Sequence, residues 1–472
     1  MLASTLALPF APLAGAHAAP VLLATGTLTG SAAGAYADLS GLSGTLENGL
    51  PANLLGGIGS GLAWAGGNTF LALPDRGPNA TPYNSAVDDT VSFIPRFDTV
   101  QMSLVRTPGG PTPFSLTPSL SATTLLWNAT PLAYGSGAAY GLPNGAPAQN
   151  TADRYYFTGR SDAFGAGTSA NPLDGRRDPE SIRMSPDGSY VYVSDEYGPY
   201  IDKFNRVTGE RVATYTLPPN LDVAHLAPTG SAEISGNTSG RTANKGMEGL
   251  AITPDGSKLV GIMQAGLIQD AAKPKLLRLV TVDTATGATH EYAYKLTDGS
   301  GVSDIVALND HQFLVDERDG KGLGDGTNAV VKKFFIIDIA GATDITGMNA
   351  TEASTHYVPK SSSPLVDLVA MLVAQGVSPA DIPSKIEGLA FGADVSLDGT
   401  LEHTLWVAND NDFVPASAGP NRFWVIGFTD ADLAAVFPQS AGFVPQSVPE
   451  PGSLALLLGG LAGLAGLGRR RR

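Results

Sequence analysis

A hairpin pattern of short apolar strands recurs along the chain. In its clearest copy, Glu180 begins an apolar strand that ends at the turn Pro186-Asp187-Gly188, and a second apolar strand returns to Asp195 and Glu196. Short apolar runs bounded by Pro, Asp and Gly are typical of β-hairpins. The pattern therefore predicts an all-β chain built from repeated hairpins.

Five copies of this hairpin can be aligned. Their first strands begin at Ser60, Glu180, Glu248, Asp304 and Glu387, and their second strands reach Asp75, Asp195, Gln264, Asp316 and Asn409. A third strand is predicted at residues 200–207, 275–283, 330–339 and 422–428, and a fourth at 211–217 and 289–296. Four antiparallel strands in about 60 residues form one blade of a β-propeller.

The number of blades depends on two further segments. Residues 112–157 are long enough to hold a sixth blade, and the apolar strand Val21–Leu28 is placed to complete the last blade and close the ring. We therefore predict a β-propeller of four-stranded blades, with six blades favoured and five or seven as alternatives. Residues 364–375 have the apolar spacing of an amphipathic helix inserted between two copies.

The repeat predicts a ring of acidic side chains at one mouth of the central channel. The first strand of every blade lines the channel, and the second strand returns to the same end. The predicted ring residues are Glu180, Glu248, Asp304 and Glu387, surrounded by Asp195, Glu196, Asp316, Glu317, Asn409 and Asp410. Crowded carboxylates repel one another, so some must be protonated, paired with arginine or bound to a cation. Nearby in sequence are Arg76, Arg176, Arg177, Arg183 and Arg318.

Composition narrows the chemistry of this ring. The formal net charge of −15 disfavours nucleic acid and anionic lipid as partners. The chain has no cysteine and only 6 scattered histidines, which excludes thiolate sites and gives little support to zinc or to a Ser-His-Asp triad. Oxygen ligands suit a divalent cation, with Ca²⁺ the best fit. The alternative is that each acidic residue only bonds backbone N–H groups of the neighbouring blade.

The two ends predict export. Residues 1–18 are apolar and end in Ala16-His17-Ala18, the pattern of a cleaved signal peptide, although no basic residue precedes the run; a buried first strand is the alternative. The other end carries Pro449-Glu450-Pro451, an apolar run over 452–468 and four arginines. The predicted divisions are therefore a signal peptide at 1–18, a propeller at 19–445 and a tail at 446–472.

This tail resembles the PEP-CTERM sorting signal of Gram-negative bacteria. The resemblance implies processing by an exosortase and a position in the cell envelope or outside the cell. Before cleavage, the apolar run would anchor the chain in the inner membrane, with the arginines on the cytoplasmic side. The alternative is a plain C-terminal anchor, which has the same topology.

Several strings in the body resemble the phytase-like family, described by an esterase-like activity. They are Asp75-Arg76-Gly77-Pro78-Asn79, Asp178-Pro179-Glu180-Ser181-Ile182, Ser194-Asp195-Glu196-Tyr197-Gly198-Pro199, Asn244-Lys245-Gly246-Met247-Glu248-Gly249-Leu250 and Lys385-Ile386-Glu387-Gly388-Leu389-Ala390. The resemblance spans roughly residues 56–428. It implies metal-assisted hydrolysis of a small phosphoester.

The resemblance also implies roles for individual residues. Glu180, Glu248 and Glu387 would hold the metal, and Asp304, Asn409 and Asp410 are further candidate ligands. Asp195 or Asp316 would orient water, and Arg76, Lys245 and Arg318 would contact phosphate. The alternatives are a propeller lactonase or other esterase, and a non-catalytic surface propeller stabilised by Ca²⁺ that binds polysaccharide or protein.

Overall fold

The computed structural model describes residues 19–30, 36–80, 90–135, 145–161, 167–227 and 229–448. The predicted signal peptide and the Pro-Glu-Pro, apolar and arginine parts of the tail lie outside the described residues. The regular structure of the described residues is mostly β-strand. The strands form five four-stranded antiparallel sheets, one of which carries an additional short strand, and a separate two-stranded sheet.

The strands follow the chain from blade to blade. The N-terminal strand is β1 (Val21–Leu28), and blade one contains β2 (Gly61–Trp64), β3 (Thr69–Leu73), β4 (Arg96–Arg106) and β5 (Phe114–Leu125). A two-stranded sheet follows, made of β6 (Trp127–Asn128) and β7 (Tyr155–Tyr156). Blade two contains β8 (Pro179–Met184), β9 (Tyr190–Asp195), β10 (Tyr200–Asn205) and β11 (Arg211–Tyr215).

The remaining three blades have the same order. Blade three contains β12 (Met247–Ile252), β13 (Lys258–Met263), β14 (Leu276–Asp283) and β15 (Thr289–Lys295). Blade four contains β16 (Gly301–Ala307), β17 (Gln312–Arg318), β18 (Lys332–Asp338) and β19 (Val366–Asp367). Blade five contains β20 (Ile386–Phe391), the short β21 (Val395–Leu397), β22 (Thr400–Asn409) and β23 (Asn421–Phe428).

Short helices lie in the connections. They are α1 (Gly230–Gly236), α2 (Ala350–Ala353), α3 (Leu368–Ala374), α4 (Pro415–Ala418) and α5 (Asp430–Val436), with 3₁₀ turns at Ile268–Asp270 and Pro379–Asp381. The helix α3 falls inside the predicted insertion at 364–375. Its N-cap Asp367 accepts a hydrogen bond from the Ala370 amide, while Leu368 and Leu372 are buried. An amphipathic helix was the expected element there.

The ring closes between the first and last strands. The inner strand of each blade packs against those of both neighbours, in the order β2, β8, β12, β16, β20 and back to β2. The N-terminal β1 pairs antiparallel with β23, from Val21 opposite Gly427 to Leu28 opposite Asn421, and so forms the outer strand of blade five. This closure by Val21–Leu28 confirms the sequence prediction, and it joins the two ends of the domain through backbone hydrogen bonds.

The β-propeller fold is confirmed, with five blades, the lower of the predicted alternatives to six. The described residues within 112–157 do not form a blade: Phe114–Leu125 is β5, the outer strand of blade one, and the remaining described residues of this range contribute β6 and β7. The reason is the length of β4 and β5, which pair from Arg96 opposite Leu125 to Arg106 opposite Phe114. One long hairpin uses the residues that two shorter strand pairs would need.

Candidate functional site

The strand registers define two rings at one mouth of the channel. Inner and second strands pair at equivalent positions in four blades: Pro179 with Asp195, Met247 with Met263, Val302 with Glu317, and Ile386 with Asn409. A register shift follows each of these pairs along the inner strand. Bulges of this kind re-aim side chains and are common beside functional sites.

The residues next to these pairs form the rings. The inner ring is Ser60, Glu180, Glu248, Ser303 and Glu387, and the outer ring is Asp75, Glu196, Gln264, Arg318 and Asp410. In blade four, the ring position is held by Ser303, so Asp304 lies one residue deeper in the channel. Likewise, Arg318 is the counterpart of Glu196, and Asp316 lies two residues before it. The alignment from sequence matched the acidic residues Asp304 and Asp316 to the other blades, and it was therefore displaced by one residue on each strand of blade four.

Three carboxylates of blade two converge beside the channel. Asp178, Glu180 and Glu196 each place one oxygen within 4.8 Å of the other two. Burial, followed by repulsion from Glu248 and Asp178, raises the pKa of Glu180 well above its usual value. Burial and Glu248 have the same effect on the pKa of Glu196. Such a group is stabilised by taking up protons or a cation, and an oxygen-only donor set suits a hard divalent cation.

Arg76 of blade one borders this cluster. Its Nη1 lies 3.0 Å from Oδ2 of Asp178, and its backbone N–H donates to Oδ1 of the same carboxylate at 3.1 Å. The guanidinium also donates to the side-chain carbonyl of Asn244. The structure thereby places Arg76 beside the mouth, and its two contacts fix Asp178 from two directions.

The opposite side of the mouth is organised by Arg318. Its guanidinium donates to Ser303 Oγ and to Glu387, and it lies 3.7 Å from Glu248. Glu248 also accepts a hydrogen bond of 2.8 Å from Gln264. Arg318 therefore separates two inner-ring glutamates whose charges would otherwise repel directly, and it holds both side chains toward the channel.

A second acidic group lies between blades five and one. Asp75, Asp410 and Asp412 also have carboxylate oxygens within 4.8 Å of one another. Lys385 is bonded to this group, with its Nζ 2.7 Å from Asp410 and 2.5 Å from Asp412. Lys385 contacts two of the three carboxylates of this group, so we take the cluster of blade two as the first candidate for a metal ion.

The mouth as a whole carries more negative than positive charge. The carboxylates named above are Asp75, Asp178, Glu180, Glu196, Glu248, Glu387, Asp410 and Asp412, and the cations are Arg76, Arg318 and Lys385. Eight carboxylates thus face three cationic side chains. An anionic substrate would be repelled from this mouth unless added cations or protons lowered the charge.

Asp304 closes the channel beneath the rings. It is fully buried and accepts hydrogen bonds from Arg183 Nη2 at 2.8 and 2.7 Å, from Ser181 Oγ at 2.9 Å and from the Leu389 amide at 2.8 Å. Arg183 in turn donates to the Leu62 carbonyl at 2.6 Å. This pair connects the inner strands of blades one, two, four and five. Its hydrogen-bonding capacity is used within the protein, which favours a structural role.

Four other predicted site residues either accept hydrogen bonds, mostly from backbone amides, or lie away from the two clusters. Asp195 accepts hydrogen bonds from the amides of Asp178 at 2.7 Å and Gly198 at 2.8 Å. Asn409 accepts one of 2.6 Å from the Arg422 amide. Glu317 accepts hydrogen bonds from Tyr294 and the Asp298 amide, both at 2.7 Å. Lys245 is exposed on the loop that follows Asn244.

Asp316 is fully buried, and neither of its carboxylate oxygens has a hydrogen-bond partner among the described residues. Burial raises its pKa well above 3.8, although Arg318 and Lys332 act in the opposite direction. A folded-state pKa above the unfolded value means that the folded protein holds the proton more tightly. Stability is then lost as pH rises above about 4, because the unfolded carboxyl ionises first.

We expect Asp316→Asn to remove this pH dependence. The variant should melt at a higher temperature than the parent, with a gain that grows between pH 5 and pH 8, measured by calorimetry in the presence of a chelator. Asp310→Asn, at an exposed turn, is the matched control and should show no such trend. A gain that is constant with pH would contradict the buried, protonated assignment.

Sequence reasoning missed several members of the site. Asp178 was noted only within a family string, and Asp75 only as the end of a strand and within such a string. Neither Asp412 nor the cation Lys385 was assigned a role. Their signal was present in the tripeptides Asp75-Arg76-Gly77 and Asp178-Pro179-Glu180, and in Asn409-Asp410-Asn411-Asp412. These residues lie just outside the regular strands, where an alignment of strand patterns gives them no defined position.

Comparison with known proteins identifies two matching families. The family described as esterase-like activity of phytase matches residues 53–413, and the PEP-CTERM protein-sorting motif matches residues 447–472. An uncharacterized secreted protein from Arthroderma benhamiae is 26% identical over 263 residues, which cover 47% of this chain and 49% of the relative. The chain thus spans about half the length of that curated relative.

Solved propeller structures resemble the chain only distantly. Hydrazine synthase from Kuenenia stuttgartiensis aligns with a TM-score of 0.32 and 13% identity over 77% of this chain and 79% of the other. A putative 6-phosphogluconolactonase from Bacteroides uniformis has a TM-score of 0.30 and 12% identity over 77% and 83%. Aldose sugar dehydrogenase from Streptomyces coelicolor has the same score and identity over 83% of each chain. Similarity at this level carries no information about chemistry.

The sorting motif indicates export to the cell envelope. Among the described residues, no helix combines the length and the hydrophobicity needed to cross a bilayer.

Proposed function

Because the chain belongs to the family described as esterase-like activity of phytase, we propose that it is an exported hydrolase that cleaves phosphoesters at the acidic mouth with the help of a divalent cation. The observation that carries this proposal is the convergence of Asp178, Glu180 and Glu196, each with an oxygen within 4.8 Å of the others. The cluster is bordered by Arg76, which offers a guanidinium beside the position where a cation would bind.

The residues fit a hard cation. The donors are all carboxylate oxygens, Asp178 and Glu196 are buried, and the mutual repulsion of the group is relieved when positive charge is added. Asp178, Glu180 and Glu196 would hold the ion, with Ca²⁺ our first candidate. When bound, such an ion supplies a Lewis acid that polarises a phosphoryl oxygen and lowers the pKa of water.

The protein side chains have separate roles in this hydrolysis. Arg76 and Arg318 lie on opposite sides of the mouth and would neutralise charge on the phosphoryl oxygens. Glu248, held by Gln264, is our candidate to accept the proton of the attacking water. The water oxygen bonds to phosphorus as Glu248 takes its proton, and the ester P–O bond breaks. The leaving alkoxide takes a proton from solvent, and Glu248 later releases its own proton to solvent. Asp195 is a positioning residue, because it holds the backbone of Asp178.

The test is hydrolysis by the purified protein with and without added cation. Activity on a phosphodiester or phosphomonoester should require Ca²⁺ or another divalent ion, and excess chelator should abolish it. The same titration should raise the melting temperature, since a ligand that binds only the folded state stabilises it. Full phosphoester hydrolysis in excess chelator would contradict the proposal.

One observation favours a second candidate, an esterase or lactonase for uncharged substrates. Among the described residues, eight carboxylates and three cations were assigned to the mouth, and this excess of negative charge opposes an anionic substrate but not a neutral ester. Hydrolysis of lactones or carboxylic esters without hydrolysis of phosphoesters would select this alternative. A cation-dependent rise in melting temperature with no hydrolysis of any of these esters would instead favour a binding module.

A further inference from the structure

The end of the described chain crosses the channel opening opposite the acidic mouth. We call this opening the basal end and residues 439–448 the basal strap. The basal end is lined by all five inner strands, through residues that include Ala63, Met184, Ile252, Ala307 and Phe391, and by Phe443, Pro445 and Gln446 of the strap. The strap therefore lies over the opening itself.

The strap is fixed at its start to blade four. Gln312 of the basal hairpin turn donates to the Gln439 carbonyl at 2.9 Å and accepts from the Ala441 amide at 2.9 Å. The Val444 amide donates to the Leu308 carbonyl at 2.8 Å. These contacts place the first half of the strap against the ends of β16 and β17.

An aromatic anchor holds the middle of the strap to blade five. The ring centroid of Phe443 lies 4.7 Å from those of Phe391 and His403, and 5.7 Å from that of Phe428. The Phe443 amide also donates to Asp430 at 2.8 Å. Aromatic contacts at these distances stabilise a fixed position of the side chain.

The far end of the strap reaches blades one and two. Gln446 Nε2 donates to the Met184 carbonyl at 2.6 Å. Val448 is buried in the hydrophobic cluster that also contains Ala63, Ala65 and Met184. The strap thus spans the basal end from blade four to blades one and two, and the sorting motif matched at residues 447–472 begins at its last two residues.

The length of chain after the strap is short. Only residues 449–451 separate Val448 from the apolar run that begins at Gly452. An extended chain spans about 3.3–3.6 Å per residue, so this connection reaches about 15 Å. We propose that, while the apolar run is inserted in a lipid bilayer, the basal strap holds the basal end against the membrane and the acidic mouth opens away from it.

Charge does not provide this orientation. The exposed turns at the basal end carry Asp187, Asp255 and Asp310, which anionic lipid would repel. The partner is therefore a lipid surface reached through the short tether, and the orientation should not depend on salt or on anionic lipid. In this position the acidic mouth faces solutes on the far side of the protein from the bilayer.

The absence of cysteine allows a direct test. Asn68→Cys places one thiol at an exposed basal turn of blade one, and Ala272→Cys places one on the exposed loop after β13, on the mouth side. Each full-length variant is labelled with a maleimide fluorophore and reconstituted into phosphatidylcholine vesicles that carry an acceptor-labelled lipid. We expect energy transfer to be several-fold stronger from the label at position 68 than from the label at 272.

A second variant tests the tether itself. About 15 Gly and Ser residues inserted between Val448 and Pro449 should bring the two transfer efficiencies together, because the propeller is then free to reorient. Equal transfer in the original chain, stronger transfer from position 272, an unchanged difference after insertion, or no association with vesicles would each overturn the proposal. Hydrolysis is not part of the readout, so the result is independent of the proposed activity.

Discussion

We expect Glu180→Gln to abolish cation-dependent hydrolysis while making the cation-free protein more stable. Glutamine keeps the size of the side chain but cannot offer a charged oxygen to a cation, so activity should fall by at least about 100-fold, which corresponds to about 2.7 kcal/mol in the barrier. In the absence of cation, the folded protein must either bury the charge of Glu180 beside Glu248, Asp178 and Glu196 or bind a proton there, and glutamine removes this cost. The melting temperature in chelator should therefore rise.

The opposite signs of these two effects make the experiment specific. Substituting a residue that only supports the fold would lower stability and activity together. Substituting a metal ligand that is held in a repulsive cluster should instead lower activity and raise the stability of the cation-free protein. The melting shift caused by Ca²⁺ should shrink in Glu180→Gln and stay unchanged in Asp310→Asn, which alters an exposed basal turn. Wild-type hydrolysis and a wild-type calcium shift in Glu180→Gln would remove this residue from the site.

The largest loss of stability is expected for Asp304→Asn. The substitution preserves the shape of the side chain but leaves the Arg183 guanidinium buried without its counter-charge; the two side chains are 0% and 6% exposed. Breaking a buried ion pair by removing one partner costs about 3–5 kcal/mol. Because Asp304 also bonds Ser181 and the Leu389 amide, the damage extends to blades two and five.

The matched control is Asp398→Asn, which removes the charge of an exposed pair with Arg106. Those side chains are 75% and 35% exposed, and the 2.7 Å contact lies far from the channel. Exposed pairs contribute about 0–1 kcal/mol, so urea denaturation should separate the two variants clearly. A loss below about 1 kcal/mol for Asp304→Asn would show that the channel pair does not hold the blades together.

The repeat pattern was a reliable guide to the regular parts of the fold. The third strand predicted at 275–283 is observed at Leu276–Asp283, and the closing strand is observed at Val21–Leu28. Both predictions rest on local information, since apolar residues bounded by turn residues suit a buried strand wherever it lies. The number of blades could not be predicted from local pattern alone. Nothing in the pattern of residues 112–157 indicates that Phe114–Leu125 pairs along β4 instead of starting a new sheet.

The same division applies to the acidic mouth. The sequence alone determined that carboxylates recur at the start of the inner strands, that the chain lacks thiol ligands, and that it carries a sorting tail. Only the tertiary structure decided which carboxylates meet, because the register of each hairpin sets which side chains face the mouth. In blade four, a register that differs by one residue from the sequence alignment places Ser303 in the ring. Asp304 then lies in the channel below, where it accepts a hydrogen bond from Arg183. The hydrophobic pattern is enough to specify a strand, but strand register and the contacts between blades decide which side chains lie at the mouth and which lie in the channel.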